Sequence, residues 1–181
     1  LKNRQLTNAP AVLRKLKYLF FPLALLICCE EASGQNTSYG EVQAAYIFNF
    51  AKYIKWPAET CAFVIGVTGE SEIMEVLHNT LKGKKVAGRV LELRKISTLD
   101  EARKCNIIYL PEFSSMKLSE LRVELNGKQV LIVTEEDLIK KGASISFIVE
   151  DDKLKFKLKQ SALSAAQLTG SEGLLRLAII E

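Results

Sequence analysis

The residues that could do chemistry are few. The chain has one histidine, His78. A single imidazole cannot build a histidine-rich metal site, and no GxSxG, Walker or HExxH pattern surrounds it. Carboxylates cluster at Glu135-Glu136-Asp137 and at Glu150-Asp151-Asp152. Paired acids can perform general acid–base work. Here the first set opens a short helix, where negative charge suits the dipole. The second lies between two alternating runs, where aspartate is turn chemistry. Gly66 and Gly69 in "GVTGESE" stand between a strand and a helix, a place where backbone N–H groups can hold an anion. The three-glycine fingerprint is missing, and Glu70 and Glu72 would repel phosphate, so the stretch reads as an ordinary turn. Lysines 153, 155, 157 and 159 alternate with Leu154, Phe156 and Leu158. They read as the wet side of an edge strand, where charge suppresses stray pairing, or as a face for an acidic partner. No catalytic residue, metal site or cofactor is assigned.

The N-terminus bears on compartment. Arg4, Arg14, Lys15 and Lys17 precede the apolar run "YLFFPLALLICC", and Ala32 and Gly34 supply a small-residue cleavage site. This is the order of a secretory signal peptide over residues 1–34. The run is shorter than the roughly 20 apolar residues of a spanning helix. A lipoprotein anchor is disfavoured, because Cys28 stands where a small residue should precede Cys29. Removing residues 1–34 takes five of 25 basic and two of 21 acidic residues, leaving 20 against 19. The exported chain is then nearly neutral, which argues against a nucleic-acid partner. Nothing after the cleavage site could insert in a membrane, and the expected location is the periplasm.

The elements that must position any site follow from hydrophobic period. Residues 35–40 read as a flexible lead and 41–181 as a single domain. "EVQAAYIFNFAKYIK" predicts an amphipathic helix of about four turns, stopped by Pro57. "AFVIGV", "NIIYL" and "QVLIVTE" are continuous apolar runs of the kind buried on both faces of a parallel sheet. "RVLELRKI" alternates as a strand. Helices are expected in "TGESEIMEVLHNTLKG", in "STLDEARK" with Ser97 or Thr98 as cap, and in "SSMKLSELRVELNGK". A one- to two-turn helix is expected in "EEDLIKKG". "ASISFIVEDDKLKFKLKQ" predicts an antiparallel hairpin closing one sheet edge, followed by a helix in "SALSAAQL" and a packed closing segment. The class is α/β, a mostly parallel sheet of core order 2-1-3-4 flanked by helices.

Two consequences concern particular residues. Cys28 and Cys29 leave with the signal peptide, so Cys61 and Cys105 remain. They precede strands expected to be parallel neighbours about 5 Å apart, within disulfide reach. An exported pair favours a bridge, which would stabilise by a few kcal/mol on the chain-entropy model. On the first helix, at about 100° per residue, Val42, Tyr46, Ile47, Phe50, Tyr53 and Ile54 form the core arc. Phe48 falls off that arc between Lys52 and Lys55, making Phe48, Lys52 and Lys55 the candidate contact patch for a second chain.

"AAYIFNFAKYIKWP", "FVIGVTGESEIMEVL", "CNIIYL", "GASISFIVEDDKLKFKLKQSAL" and "LLRLAII" together resemble the YfiR-like periplasmic proteins, in that family's order. The resemblance implies a small exported α/β regulator without catalysis. Its partner would be the periplasmic domain of a membrane-bound signalling protein such as a diguanylate cyclase, held inactive. The resemblance also implies a homodimer, and its cysteine pair matches Cys61 and Cys105. A second bridge found in some members has no counterpart here, and Gly170 and Gly173 stand where relatives carry ordinary residues. The alternative is a small-molecule binding or sensor module. It would use the crevice at the carboxyl ends of the strands, with Gly69, Ser71 and Pro111 as its lining.

Overall fold

A computed structural model describes residues 39–57 and 62–181. The expected signal peptide, most of the expected lead and Cys61 lie outside the described residues. The elements in chain order are α1 (Tyr39–Tyr53), β1 (Ile54–Lys55), β2 (Ala62–Thr68), α2 (Ile73–Leu81), β3 (Lys85–Val86), β4 (Arg89–Ile96), α3 (Leu99–Ala102) and β5 (Ile107–Leu110). A 3-10 turn over Glu112–Lys117 leads into α4 (Leu118–Glu124), then β6 (Leu131–Thr134) and a second 3-10 turn at Ile139–Lys141. The chain ends with β7 (Ile145–Glu150), β8 (Lys153–Leu158), α5 (Gln160–Ala165), β9 (Thr169–Gly170), α6 (Glu172–Leu177) and β10 (Ile179–Ile180).

The main sheet has the order β10-β8-β7-β6-β5-β2-β4-β3. Its centre, β4-β2-β5-β6, is the expected 2-1-3-4 arrangement, and all three of those pairings are parallel. The continuous apolar runs sit there because both of their faces are covered. β5 and β6 are buried at every residue. Phe63, Ile65 and Val67 pack on the α1 and α2 side. Val64, Ile108 and Ile132 pack on the α3 and α4 side. Alternation along a strand is what divides one run between two cores.

Several expectations are corrected. The hairpin β7–β8 forms in the expected antiparallel register, with Asp151 and Asp152 at positive φ in its turn, but it does not close the sheet. β10 adds in parallel outside β8, so the lysine-bearing strand is not an edge. Two of its lysines are paired within the chain: Lys155 with Glu150 and Asp151, and Lys157 with Asp137 and Glu181. The first helix starts at Tyr39, inside the expected lead. It ends at Tyr53, because Ile54 and Lys55 pair with Thr169 and Gly170 of β9 instead. The Trp56 indole N–H donates to the Ala51 carbonyl at 2.9 Å, taking one of the oxygens left open at the helix end.

The buried stripe of α1 is Gln43, Ala44, Ile47, Phe50 and Ala51, rotated from the expected arc. Tyr53 is 46 % exposed. The helix is covered on more than one side. α2 lies along it, and the hairpin places Phe147 and Phe156 against Tyr46 and Phe50, at ring separations of 5.0–6.0 Å. A stripe computed for one buried face is displaced when two neighbours share the burial.

Candidate functional site

Strand β2 passes to β4 on one side, while β5 passes to β6 on the other. The loops leaving the carboxyl ends of β2 and β5 therefore diverge, and a crevice opens between them, as the topology of open parallel sheets dictates. Its volume is about 910 Å³. One wall is the first turn of α1, with Tyr39, Gly40 and Gln43. A second is the β2–α2 turn, with Glu70, Ser71 and Glu72. The third is the 3-10 turn after β5, with Glu112 and Phe113, and the fourth is the loop after β6, with Glu135 and Glu136.

Local bonds fix each wall. Ser71 Oγ accepts from the Ile73 N–H at 3.4 Å as the second wall enters α2. The Ser114 hydroxyl donates to the Thr68 carbonyl at 3.3 Å, tying the third wall to the end of β2. Gly69 stands under that turn at φ +74°, and a Cβ there would come within 2.8 Å of the Phe113 ring. Only glycine meets both demands. In the fourth wall, the Ser146 and Thr134 hydroxyls share a 2.7 Å hydrogen bond. Thr134 Oγ1 donates to the Glu136 carbonyl at 2.9 Å, and Ser146 Oγ accepts from the Leu138 N–H at 3.1 Å. Glu135 Oε2 accepts from the Glu112 N–H at 2.8 Å, joining the third and fourth walls.

The electrostatics are one-sided. Five glutamates line the crevice, and no described lining residue is basic. Glu70 is paired with Lys95 outside it. Phe113 is 63 % exposed and Tyr39 51 %. Gln43 is 7 % exposed and lines the crevice. Behind Glu135, the buried Tyr109 phenol makes no hydrogen bond. Its pKa is raised, first by burial and then by the nearby Glu135 charge, although the two groups do not meet hydrogen-bond geometry.

Of the crevice residues expected from sequence, Ser71 lines it. Gly69 lies beneath Phe113, and Pro111 is buried at the start of the 3-10 turn. Glu135 and Glu136 were expected to cap a helix. Only Asp137 does anything similar, accepting from the Ile139 N–H at 3.4 Å, and the two glutamates face the crevice instead. The missed signal was the spacing of acids after strands: Glu70, Glu112 and Glu135 each stand one or two residues beyond β2, β5 and β6. Carboxylates at those positions in parallel neighbours converge.

The Phe48 patch differs from its expected form. The ring packs against the core and carries Lys52 Nζ at 5.5 Å and Lys84 Nζ at 4.7 Å from its centroid. Lys52 and Lys55 are exposed. The region presents ammonium groups, with the phenylalanine beneath them. His78 is exposed on a nearby groove of about 460 Å³ shared with Lys82, Lys84, Lys85 and Arg94. Among the described residues no group of three or more histidines, cysteines or acids could hold a metal ion.

Cys105 carries a free, buried thiol. Its Sγ lies 3.4 Å from the Glu101 carbonyl, at the place where a Cβ on Gly66 would approach to 2.6 Å. Burial pushes its pKa up to about 11. The expected bridge involves Cys61 and so lies outside the described residues.

A sequence profile described as YfiR/HmsC-like matches residues 40–179, from the first turn of α1 to β10. The chain belongs to the YfiR/HmsC-like family. No curated protein matches it. In this family member the lysine face and, apart from Tyr39, the lining of the acidic crevice fall inside the matched segment. No helix among the described residues is long and apolar enough to cross a membrane.

Proposed function

We propose that the protein is an exported, non-catalytic regulator. It binds the extracytoplasmic domain of a membrane-bound signalling protein, such as a diguanylate cyclase, and represses it. The family match over residues 40–179 carries this reading, because YfiR/HmsC-like membership suggests a periplasmic regulator in c-di-GMP signalling. The protein would favour one conformation of its partner by differential affinity and shift the equilibrium accordingly. The Lys52, Lys55 and Phe48 face supplies a cationic contact patch for an acidic partner surface, and Lys84 belongs to it. Deleting the gene should raise cellular c-di-GMP, and Lys52→Glu with Lys84→Glu should reproduce the deletion while the protein stays folded. An unchanged c-di-GMP level on deletion rejects the regulator, and full repression by the double variant rejects the patch.

Cys61 and Cys105 are proposed to pair on export. The Asn106 N–H donates to the Val64 carbonyl at 2.8 Å, which sets Cys105 level with the start of β2. Pairing requires the Cys105 side chain to turn from Gly66 toward that start. Thiol titration of the denatured exported protein should find no free thiol, and two would exclude the bridge.

A second reading, a small-ligand sensor, is supported by the crevice of about 910 Å³. That size suits a drug-sized molecule. A ligand-dependent rise in melting temperature tests it.

A further inference from the structure

The acidic crevice lies at the carboxyl ends of the strands. A smaller cavity opens at the opposite end of the sheet, where the amino ends of β6 and β7 meet α5 and the turn that follows α4. Its volume is about 250 Å³, below the roughly 300 Å³ at which drug-sized pockets begin. Leu125, Val130 and Ile132, all buried, form an apolar floor, and the small Ala162 of α5 leaves the space above them open.

Two charged residues line this cavity, and both are basic: Arg122 of α4 and Lys159 between β8 and α5. Neither forms an ion pair among the described residues, whereas Arg103, Lys155 and Lys157 are each matched by carboxylates. The Arg122 guanidinium is nevertheless held in place. Its Nη1 donates to the Lys141 carbonyl at 2.8 Å, and it lies against Gly142, where a Cβ would overlap it. A guanidinium has five N–H donors, so most of its capacity is left for a carboxylate. Lys159 is partly buried. A cation drawn away from water costs free energy unless a negative charge answers it. No lining residue supplies that charge, and a bound anion would. The apolar floor adds a second requirement. A fully hydrated anion gains nothing from Leu125, Val130 and Ile132, whereas one that carries hydrocarbon buries it there.

We propose that this cavity binds a small monocarboxylate with a short aliphatic body. The carboxylate meets Arg122 and Lys159, and the aliphatic part rests on the floor. The site is separate from both the crevice and the Phe48 patch, and it goes beyond the regulator and sensor readings.

The test is calorimetric titration of the purified chain with 3-methylbutanoate, hexanoate and 4-methylpentanoate. The neutral amide of 3-methylbutanoate and inorganic phosphate, at matched ionic strength, serve as comparisons. At least one of the carboxylates should bind saturably at one site and raise Tm. The amide and phosphate should bind at least about tenfold more weakly, the first for want of charge-assisted hydrogen bonds and the second for want of apolar surface to bury. Arg122→Gln and Lys159→Gln should each weaken binding roughly tenfold, as expected for a lost hydrogen bond between charged groups. Each should shift the Tm of the free protein by about 2 °C or less. Ala162→Leu, at a half-exposed position, should fill the space and abolish binding. Lys128→Gln, an exposed lysine outside the lining, should leave affinity unchanged. The amide or phosphate binding as tightly as the best carboxylate overturns the proposal. So does wild-type affinity in both Arg122→Gln and Lys159→Gln, or in Ala162→Leu. A loss in Lys128→Gln as large as in either basic variant would reduce the effect to general surface charge and overturn it too. If none of the three carboxylates binds saturably, the proposal falls.

Discussion

Phe48 and Phe113 are both ringed by charge, but the charges differ in sign and in effect. Phe48 packs on the core and already has two ammonium groups over its ring, from Lys52 and Lys84. Phe113 projects from a 3-10 turn among glutamates, and no described lysine or arginine stands over it. The first arrangement is complete within the chain and contributes to folding. The second sets like charges beside an exposed ring, a combination that folding alone does not favour. A region that gives up stability in this way is where a ligand is expected.

The comparison breaks most readily at the two rings themselves. Phe48→Ala should destabilise by about 2–3 kcal/mol, below the value for a full core site because the ring is only partly buried. Phe113→Ala should cost about 0.5 kcal/mol or less, as for most surface positions. Urea denaturation of both variants checks the pair, and equal losses would erase the distinction.

A smaller effect is expected at the capping box of α3, which tests whether the carboxyl ends of the strands hold firm where no ligand is proposed. Thr98 Oγ1 accepts from the Glu101 N–H at 3.2 Å, and the Glu101 carboxylate accepts from the Ser97 and Thr98 N–H groups at 2.7 and 3.1 Å. Thr98→Ala should cost about 1 kcal/mol. The backbone donors of Ser97 and Thr98 hold the Glu101 pKa below its usual value. Its contribution is therefore present above the unfolded carboxylate pKa of about 4.3 and is lost as pH falls through the lower folded value. Glu101→Gln should match that loss: less stable than wild type at pH 7, with the gap closing at acid pH. A gap that persists at pH 2 would contradict this.

Removing one cation should show the sign on the lysine side. Lys84→Met should lower stability by about 0.5–1 kcal/mol, the worth of a partly exposed cation–π contact. The acidic side should respond in the opposite sense and least of all. Glu136→Gln should raise stability by about 0.3 kcal/mol at low salt by relieving like-charge repulsion, and the gain should vanish in 1 M salt. Melting curves at two ionic strengths separate these outcomes. Destabilisation by Glu136→Gln would mean that the glutamates support the fold.

Most of the scaffold was legible in the chain. "AFVIGV", "NIIYL" and "QVLIVTE" read as strands with both faces buried, and the expected central order 2-1-3-4 is found in β4-β2-β5-β6. Ser97 or Thr98 was expected as the cap of α3, and the structure uses Thr98, with Glu101 completing the capping box. The site was less legible. Gly69, Ser71 and Pro111 marked the right loops, but the residues that reach the crevice are largely their neighbours. A turn's sequence does not say which of its side chains points inward. Glu135 and Glu136 look like helix-starting acids, and only the hydroxyls of Thr134 and Ser146, from two strands, turn that loop toward the crevice.

The sequence by itself determined the α/β class, the central strand order and the hairpin, because hydrophobic period and turn chemistry are local properties. Only the tertiary structure decided that Phe48 is held under Lys84, that β10 covers β8, and that Gln43 lies buried beside glutamates from three loops. Each of these joins residues far apart in the chain. No local pattern records such a meeting, since it depends on how the helices and strands pack.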